Sequence, residues 1–347
     1  MKERLSYAKV GVDISVTDAA KREMAKSVDS GDPRVLNRMG AFASLLEGRF
    51  DALRHPILVF KTEEPGSKQK LAYARGRFKV IAYDLVNHLV NDVMVMGAEP
   101  LYVQDCIVCG TIAPATVTAL VSNMAAACKE QGCVLVGGET SVQPGVVADG
   151  EYVLSASASA IGIVDKDRII DGSAICEGDL VLGVASNGLH TNGYTLVRRL
   201  LERNAALQGM EVDGVSFMDA ILLPHTCYYK AIRGLFGHTG LKGLAHITGG
   251  GIKGNLNRIL PGKMDALIDL PSLRVLEVFR VIREEGNVSD AEMLRTFNMG
   301  VGLTVVCSQV AVGEIIAHLG GHHGTACPIG TIVRGTGRVR YRGRLKW

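Results

Sequence analysis

No run of about 18 apolar residues occurs, so the sequence offers no membrane-spanning helix. The opening residues, MKERLSYAK, lack the apolar core of a secretory signal. Both absences point to a cytoplasmic protein whose eight cysteines are free thiols. No GxxxxGK[ST] motif occurs, which argues against a Walker-type ATPase. Cys106 and Cys109 form a lone CxxC with no second pair at zinc spacing, and a strand would place them on opposite faces. His322, His323 and Cys327 could collect a metal, but a solvated loop is the plainer reading. The net charge of +3 is too small to imply a nucleic-acid partner.

What charge there is sits unevenly. Residues 334–347 carry six basic groups and no acids. Arg338, Arg340, Arg342, Arg344 and Lys346 alternate with other residues, the period of a strand with one charged face. An edge strand guarded by charge explains this; a phosphate- or RNA-binding arm is the other reading. Glycine is abundant, at about 12% of the chain against a usual ~7%. It clusters in short polar loops where backbone can approach a ligand. A chain of 347 residues defaults to two domains, and a charged, turn-like stretch over 165–178 sets the expected boundary: 1–168 and 169–347.

The stretch 79–100, KVIAYDLVNHLVNDVMVMGAEP, reads as a short strand entering a helix. Asp84, His88, Asn91 and Asp92 share one helical side, while Leu85, Leu89, Val93 and Met96 form a core stripe. Val86 and Val90 make the helix apolar almost all round, so an interior position is expected. Two carboxylates, an imidazole and an amide are costly to bury unpaired. A cation, or a polyphosphate with its cation, would meet that face; the alternative is solvent.

Along the rest of the first half, helices are expected near 18–27, 34–46 and 114–131, and strands at 56–62, 101–108, 133–136 and 151–164. Residues 63–68 and Gly137-Gly138-Glu139-Thr140 read as turns. The second half uses strand, glycine loop and helix twice: 179–185 into Ser186–Gly193, and 243–247 into Thr248-Gly249-Gly250-Gly251. Further strands are expected at 266–269 and 302–307, and helices at 275–285 and 310–319. A glycine loop opening a helix suits an anion such as phosphate; a surface turn capped by Thr191 or Asn192 is the other reading. Gly249-x-Gly251-x-x-Gly254, with Asp269 beyond, also matches a dinucleotide fingerprint and supports a rival, an NAD-dependent oxidoreductase. Glu63, Glu64, Asp84, Asp92 and Glu139, beside Lys68, make a set of acids suited to magnesium and phosphate, or several unrelated surface acids.

The ordered motifs VND, GAEP, GGET, IIDGS, SNGLHTNGYTLVR, HITGGG and TFNMGVG resemble those of the phosphoribosylformylglycinamidine cyclo-ligase (aminoimidazole ribonucleotide synthetase) family, over nearly the whole chain. The resemblance implies an α+β fold of two α/β-type domains. The N-terminal sheet pairs across a homodimer into a barrel, and the C-terminal domain carries the glycine loops. It implies ATP and Mg²⁺, a small ribotide substrate, and ATP-dependent ring closure in purine synthesis. A paralogue with another substrate, or with lost activity, is the alternative.

Carried over residue by residue, the resemblance implies catalytic roles for Lys68, Asp105 and His190, with no general base assigned. It implies nucleotide binding by Glu63, Gly66, Ser67, Lys68, Asp84, Asn91, Asp92, Glu139 and Thr140. Of these, Glu63, Asp84, Asp92 and Glu139 would hold the metal. Ser186, Gly188, His190, Asn192, Thr248, Gly249, Gly250 and Gly251 would hold the ribotide. One departure stands out. The family's Thr-Asp-Gly-Val-Gly-Thr-Lys is here Thr62-Glu63-Glu64-Pro65-Gly66-Ser67-Lys68. Glu63 is one methylene longer, Glu64 adds charge where glycine was bare, and Pro65 stiffens the turn.

Overall fold

The computed structural model describes residues 14–28, 31–37, 41–111, 113–146, 154–321 and 325–347. The chain packs as two units, one within Met1–Val93 and Pro100–Ile163, the other of Met94–Glu99 and Val164–Trp347.

The first unit contains α1 (Ile14–Val28), β1 (Pro56–Glu63), α2 (Lys68–Ala74), α3 (Phe78–Met94), β2 (Glu99–Cys109), α4 (Pro114–Glu130), β3 (Val134–Val142) and β4 (Leu154–Asp165). Its sheet runs β1-β4-β2-β3. β2 and β3 are parallel and joined by α4, which Pro114 opens, the crossover a parallel pair needs. α3 is interior: every residue from Val80 to Asn91 is buried. The expected short strand at its start is absent. Val80 and Ile81 favour strands, but here they fill core on a helix whose other faces are also covered, and packing overrides propensity. Met96 falls beyond the helix end and is exposed, so the core stripe stops at Val93.

Two further expectations fail in this unit. The helix expected over 34–46 is not formed by the described residues there. Val35 bridges Leu46, and Leu36 N–H donates to Leu45 O at 2.8 Å. Both Val35 and Leu46 pack on Leu101, Tyr102, Val134 and Ile163. The glycines of GGET make no turn: residues 137–140 lie inside β3, with Gly138 opposite Asp105 and Glu139 opposite Cys106. A Cβ on Gly138 would stand 1.6 Å from Asp105 Oδ1, so this glycine makes room for a carboxylate. Residues 147–153, the start of the expected strand 151–164, lie outside the described residues, as do His322 and His323.

The second unit contains β5 (Leu180–Ala185), α5 (Tyr194–Arg203), the small hairpin β6 (Glu211–Val212) and β7 (Val215–Ser216), α6 (Phe217–Ile221), α7 (Tyr229–Arg233), β8 (Leu241–His246) and α8 (Gly251–Leu256). Then follow β9 (Met264–Asp269), α9 (Glu277–Gly286), α10 (Asp290–Thr296), β10 (Val301–Cys307), α11 (Val312–Gly320), β11 (Ala326–Arg334) and β12 (Val339–Arg342). The six-stranded sheet runs β12-β9-β11-β5-β10-β8. β10 is buried along its whole length, as its apolar run VGLTVVC dictates. All pairings are antiparallel except β12 with β9. This removes the basis for the dinucleotide reading: β8 is an edge strand antiparallel to β10, whereas that fingerprint requires a parallel βαβ unit. The basic tail is an edge strand, with Arg340 paired to Asp265 and Arg342 to Asp269 on β9, each at 3.0 Å.

Candidate active site

Among the described residues, two lysines meet the polar side of α3. Lys68, the first residue of α2, places its Nζ 2.9 Å from Asp84 Oδ1, with both side chains excluded from water. Burial pulls the Lys68 ammonium below its ordinary pKa, opposed by the Asp84 charge. The resemblance implies a lysine facing phosphate and a carboxylate facing metal; here the two groups pair with each other. Asn91 is likewise wholly buried. Just before Lys68, Pro65 is buried, Gly66 takes φ +63°, and Ser67 precedes the helix without a side-chain cap. Gln69 Nε2 donates to Glu64 at 3.2 Å, and Gln69 Oε1 accepts from Ala156 N–H at 3.0 Å. Glu64 is thereby tied back to the turn.

Glu63 and Asp92 converge on the second lysine. Lys61 Nζ lies 2.7 Å from Glu63 and 3.0 Å from Asp92. His88 Nε2 stands 3.8 Å and 3.7 Å from the same two carboxylates. Partial burial pulls the Lys61 ammonium down, but the two acids outweigh it and hold its pKa above the ordinary value. Lys61 was absent from the expected site, although a strand places residues i and i+2 on one face and so aligns Lys61 with Glu63.

Asp105, Glu139 and Thr140 lie elsewhere in this unit, on a cavity of about 470 Å³ whose rim includes Lys21, Arg22 and Ser44. Glu63, Asp84 and Asp92 are not among its lining residues, so the four expected metal ligands do not share it. Burial raises the Asp105 carboxyl to about 7, with the Glu139 charge adding to the rise. The volume suits a nucleotide-sized ligand, and the rim carries both charge signs.

In the second unit the two glycine loops come together. A Cβ on Gly249 would lie 3.2 Å from Asn192 Oδ1. Asn298, from TFNMGVG, braces the first loop: its Nδ2 donates to Gly188 O at 2.8 Å, and its Oδ1 accepts from Gly300 N–H at 2.9 Å and Ser186 Oγ at 3.1 Å. Asn255 braces the second, its Nδ2 donating to the carbonyls of Thr248, Gly249 and Gly251 at 3.3, 3.2 and 2.8 Å. Those carbonyls would otherwise repel an anion. Gly193, not Thr191 or Asn192, takes the N-cap of α5, with φ +81° and the Phe297 ring where a Cβ would be. Ser186, Gly188 and Gly251 are buried; Asn192, Thr248, Gly249 and Gly250 keep exposure. His190, expected to face the ribotide, is only 1% exposed and lies under the loop against His225. Asn255 and His225 carried no sequence signal of their own, since bracing residues follow no period; Asn298 lies within TFNMGVG, a motif that did not reveal its bracing role.

Family models described as "AIR synthase related protein" match residues 51–164 for the N-terminal domain and 177–342 for the C-terminal domain. A phosphoribosylformylglycinamidine cyclo-ligase from Methylobacillus flagellatus is 40% identical over 348 residues, covering 98% of each chain. The crystal structure of Escherichia coli HypE superposes with a TM-score of 0.70 at 20% identity, over 94% of each chain. A hydrogenase maturation protein HypE in complex with ATP gives a TM-score of 0.65 at 20% identity, over 92% of this chain and 88% of that one. At such identities these structures speak for the fold alone. The near end-to-end identity with a curated relative carries more, and by it the chain belongs to the phosphoribosylformylglycinamidine cyclo-ligase family.

Proposed function

We propose that this chain closes the imidazole ring of a purine precursor: formylglycinamidine ribonucleotide and ATP give aminoimidazole ribonucleotide, ADP and phosphate. The observation that carries this reading is 40% identity to a cyclo-ligase over 98% of both chains. An amide oxygen is a poor leaving group. Its attack on the γ-phosphorus releases ADP and turns it into a phosphate ester. The amidine nitrogen of the same molecule then attacks the formyl carbon, the C–N bond forms, the C–O bond breaks, and phosphate and a proton leave. Nucleophile and electrophile sit in one molecule, so holding it in a closing conformation supplies much of the acceleration.

Within the first unit, the cavity bearing Asp105, Glu139 and Thr140 is the proposed nucleotide site, with Lys21 and Arg22 as its cationic rim. Glu63 and Asp92 fit a divalent ion, because they already gather round one positive charge, that of Lys61. Mg²⁺ held there would screen the charge of a phosphate group brought up to those two carboxylates. Asp84 does not fit, because its side chain is only 1% exposed and its Oδ1 already meets the buried Lys68. The Lys68–Asp84 pair positions the turn at 63–67, so Lys68 acts as a positioning residue. Asp105, titrating near neutrality, is suited to accept a proton. In the second unit the exposed edge of the two loops, Asn192 with Thr248, Gly249 and Gly250, would hold the ribotide phosphate. The working form is a cytoplasmic homodimer.

ADP release on mixing protein, ATP–Mg²⁺ and the formylglycinamidine ribotide tests this. Ribotide-dependent ADP formation is expected. ATP-dependent thermal protection without ADP release would instead point to a paralogue that acts on another substrate.

A further inference from the structure

Beneath the two glycine loops three imidazoles meet. His190 comes from the loop after β5, His225 from the segment between α6 and α7, and His246 ends β8. None is more than 4% exposed. One nitrogen of each lies within 4.8 Å of the other two. His225 Nε2 is 2.8 Å from His246 Nε2, and the His190 ring stacks on His225 with centroids 4.0 Å apart. Thr191 Oγ1 lies 3.4 Å from His225 Nδ1.

The surroundings keep this space for the imidazoles. A Cβ on Gly302 would come within 2.6 Å of His190 Cε1 and 1.9 Å of Tyr228 Oη. The Tyr228 hydroxyl donates to Ala185 O at 2.9 Å, so it is engaged outside the cluster. His190 itself holds φ +60°, a conformation uncommon for residues other than glycine.

We propose that His190, His225 and His246 form a site for a borderline divalent ion, Zn²⁺ or Co²⁺, with the fourth tetrahedral position left to water or an anion oxygen. Three neutral imidazoles can present one lone pair each once the proton shared between His225 Nε2 and His246 Nε2 has moved to the other nitrogen of its ring or left to solvent, and such nitrogens suit these ions; Mg²⁺ and Ca²⁺ require oxygen donors that this group lacks. A proton on His225 Nδ1, donated to Thr191 Oγ1 3.4 Å away, would fix the tautomer in which Nε2 is the ligand. Two nitrogens bound at ~2.0–2.1 Å to a tetrahedral ion stand roughly 3.3 Å apart, so binding opens the His225–His246 contact by about half an ångström and tilts His190 out of its stack. The site stands on these side chains and is independent of the ring-closing reaction proposed above.

The test reads metal rather than turnover. The full chain, purified without chelator, is dialysed against equimolar Zn²⁺ or Co²⁺ and then against buffer. Metal content is measured by mass spectrometry and the Co²⁺ form by visible absorption. One ion per chain, tetrahedral Co²⁺ bands and a raised unfolding temperature are expected, with Mg²⁺ giving none of these. His225→Gln and His246→Gln, checked for native circular dichroism, should each weaken retention by at least about 100-fold. Wild-type protein that keeps no ion above the buffer blank would overturn the site, whatever the variants do. Equal retention by correctly folded His225→Gln would overturn it too.

Discussion

The ammonium of Lys68 and the carboxylate of Asp84 form an ion pair at 2.9 Å, and neither side chain is more than 1% exposed. Sixteen positions separate them in sequence, and the pair ties the start of α2 to the middle of α3. Breaking one side strands the other as a buried charge, which costs roughly 3–5 kcal/mol. Lys68→Met should therefore lower the urea midpoint sharply, and Lys68→Met/Asp84→Leu should recover most of the loss. Additive losses in the double variant would show that the two groups do not act as a pair.

Lys61 stands where a divalent ion would otherwise neutralise Glu63 and Asp92. Lys61→Met should tighten Mn²⁺ binding by roughly two- to fivefold, the scale of a partly exposed ion pair. Titration calorimetry on nucleotide-free protein reads this directly. Unchanged affinity would mean that the lysine and the ion do not compete.

Asp105 makes stability depend on pH in an unusual direction. Its folded pKa is raised to about 7 by burial and by Glu139, whereas an unfolded aspartate titrates near 3.9. Between those values the folded chain keeps a proton that the unfolded chain releases, so stability should fall as pH rises from 4 to 7 and then level off. Asp105→Asn should flatten that slope and leave the variant more stable above pH 7, by ~4 kcal/mol at most. Unfolding free energies measured across this range in chelator, without nucleotide, decide it; parallel curves would remove Asp105 as the cause.

Asn298 braces the loop proposed to hold the ribotide phosphate. Asn298→Ala strands the Gly188 carbonyl, the Gly300 amide and the Ser186 hydroxyl, at ~1–3 kcal/mol for each group left unsatisfied. The KM for the ribotide should rise well beyond any change in the KM for ATP. Equal shifts in both would assign Asn298 a purely structural role.

The polar stripe of α3 was legible because helical spacing is local: Asp84, His88, Asn91 and Asp92 do share the helix, and positive charge does meet it. The source of that charge was not legible, since which lysine arrives is decided by tertiary packing. Gly137 and Gly138 misled for a similar reason. Paired glycines resemble a turn until the strand beside them is known, and here that strand brings the Asp105 carboxylate. The dinucleotide pattern at Gly249, Gly251 and Gly254 reads correctly as a loop before a helix, but its meaning depends on strand direction, which one segment cannot report. The two glycine loops were each found from local composition. Their approach at Asn192 and Gly249 depends on sheet order.

The pairing of β5 bears on how the protein is made. Leu180 is matched to Cys307 on one side and Thr331 on the other, so the first strand of the larger sheet to leave the ribosome meets neither neighbour until those later segments follow. At ~5–20 residues per second that interval is on the order of ten seconds, during which the apolar residues of β5 must be shielded by transient structure or by a chaperone.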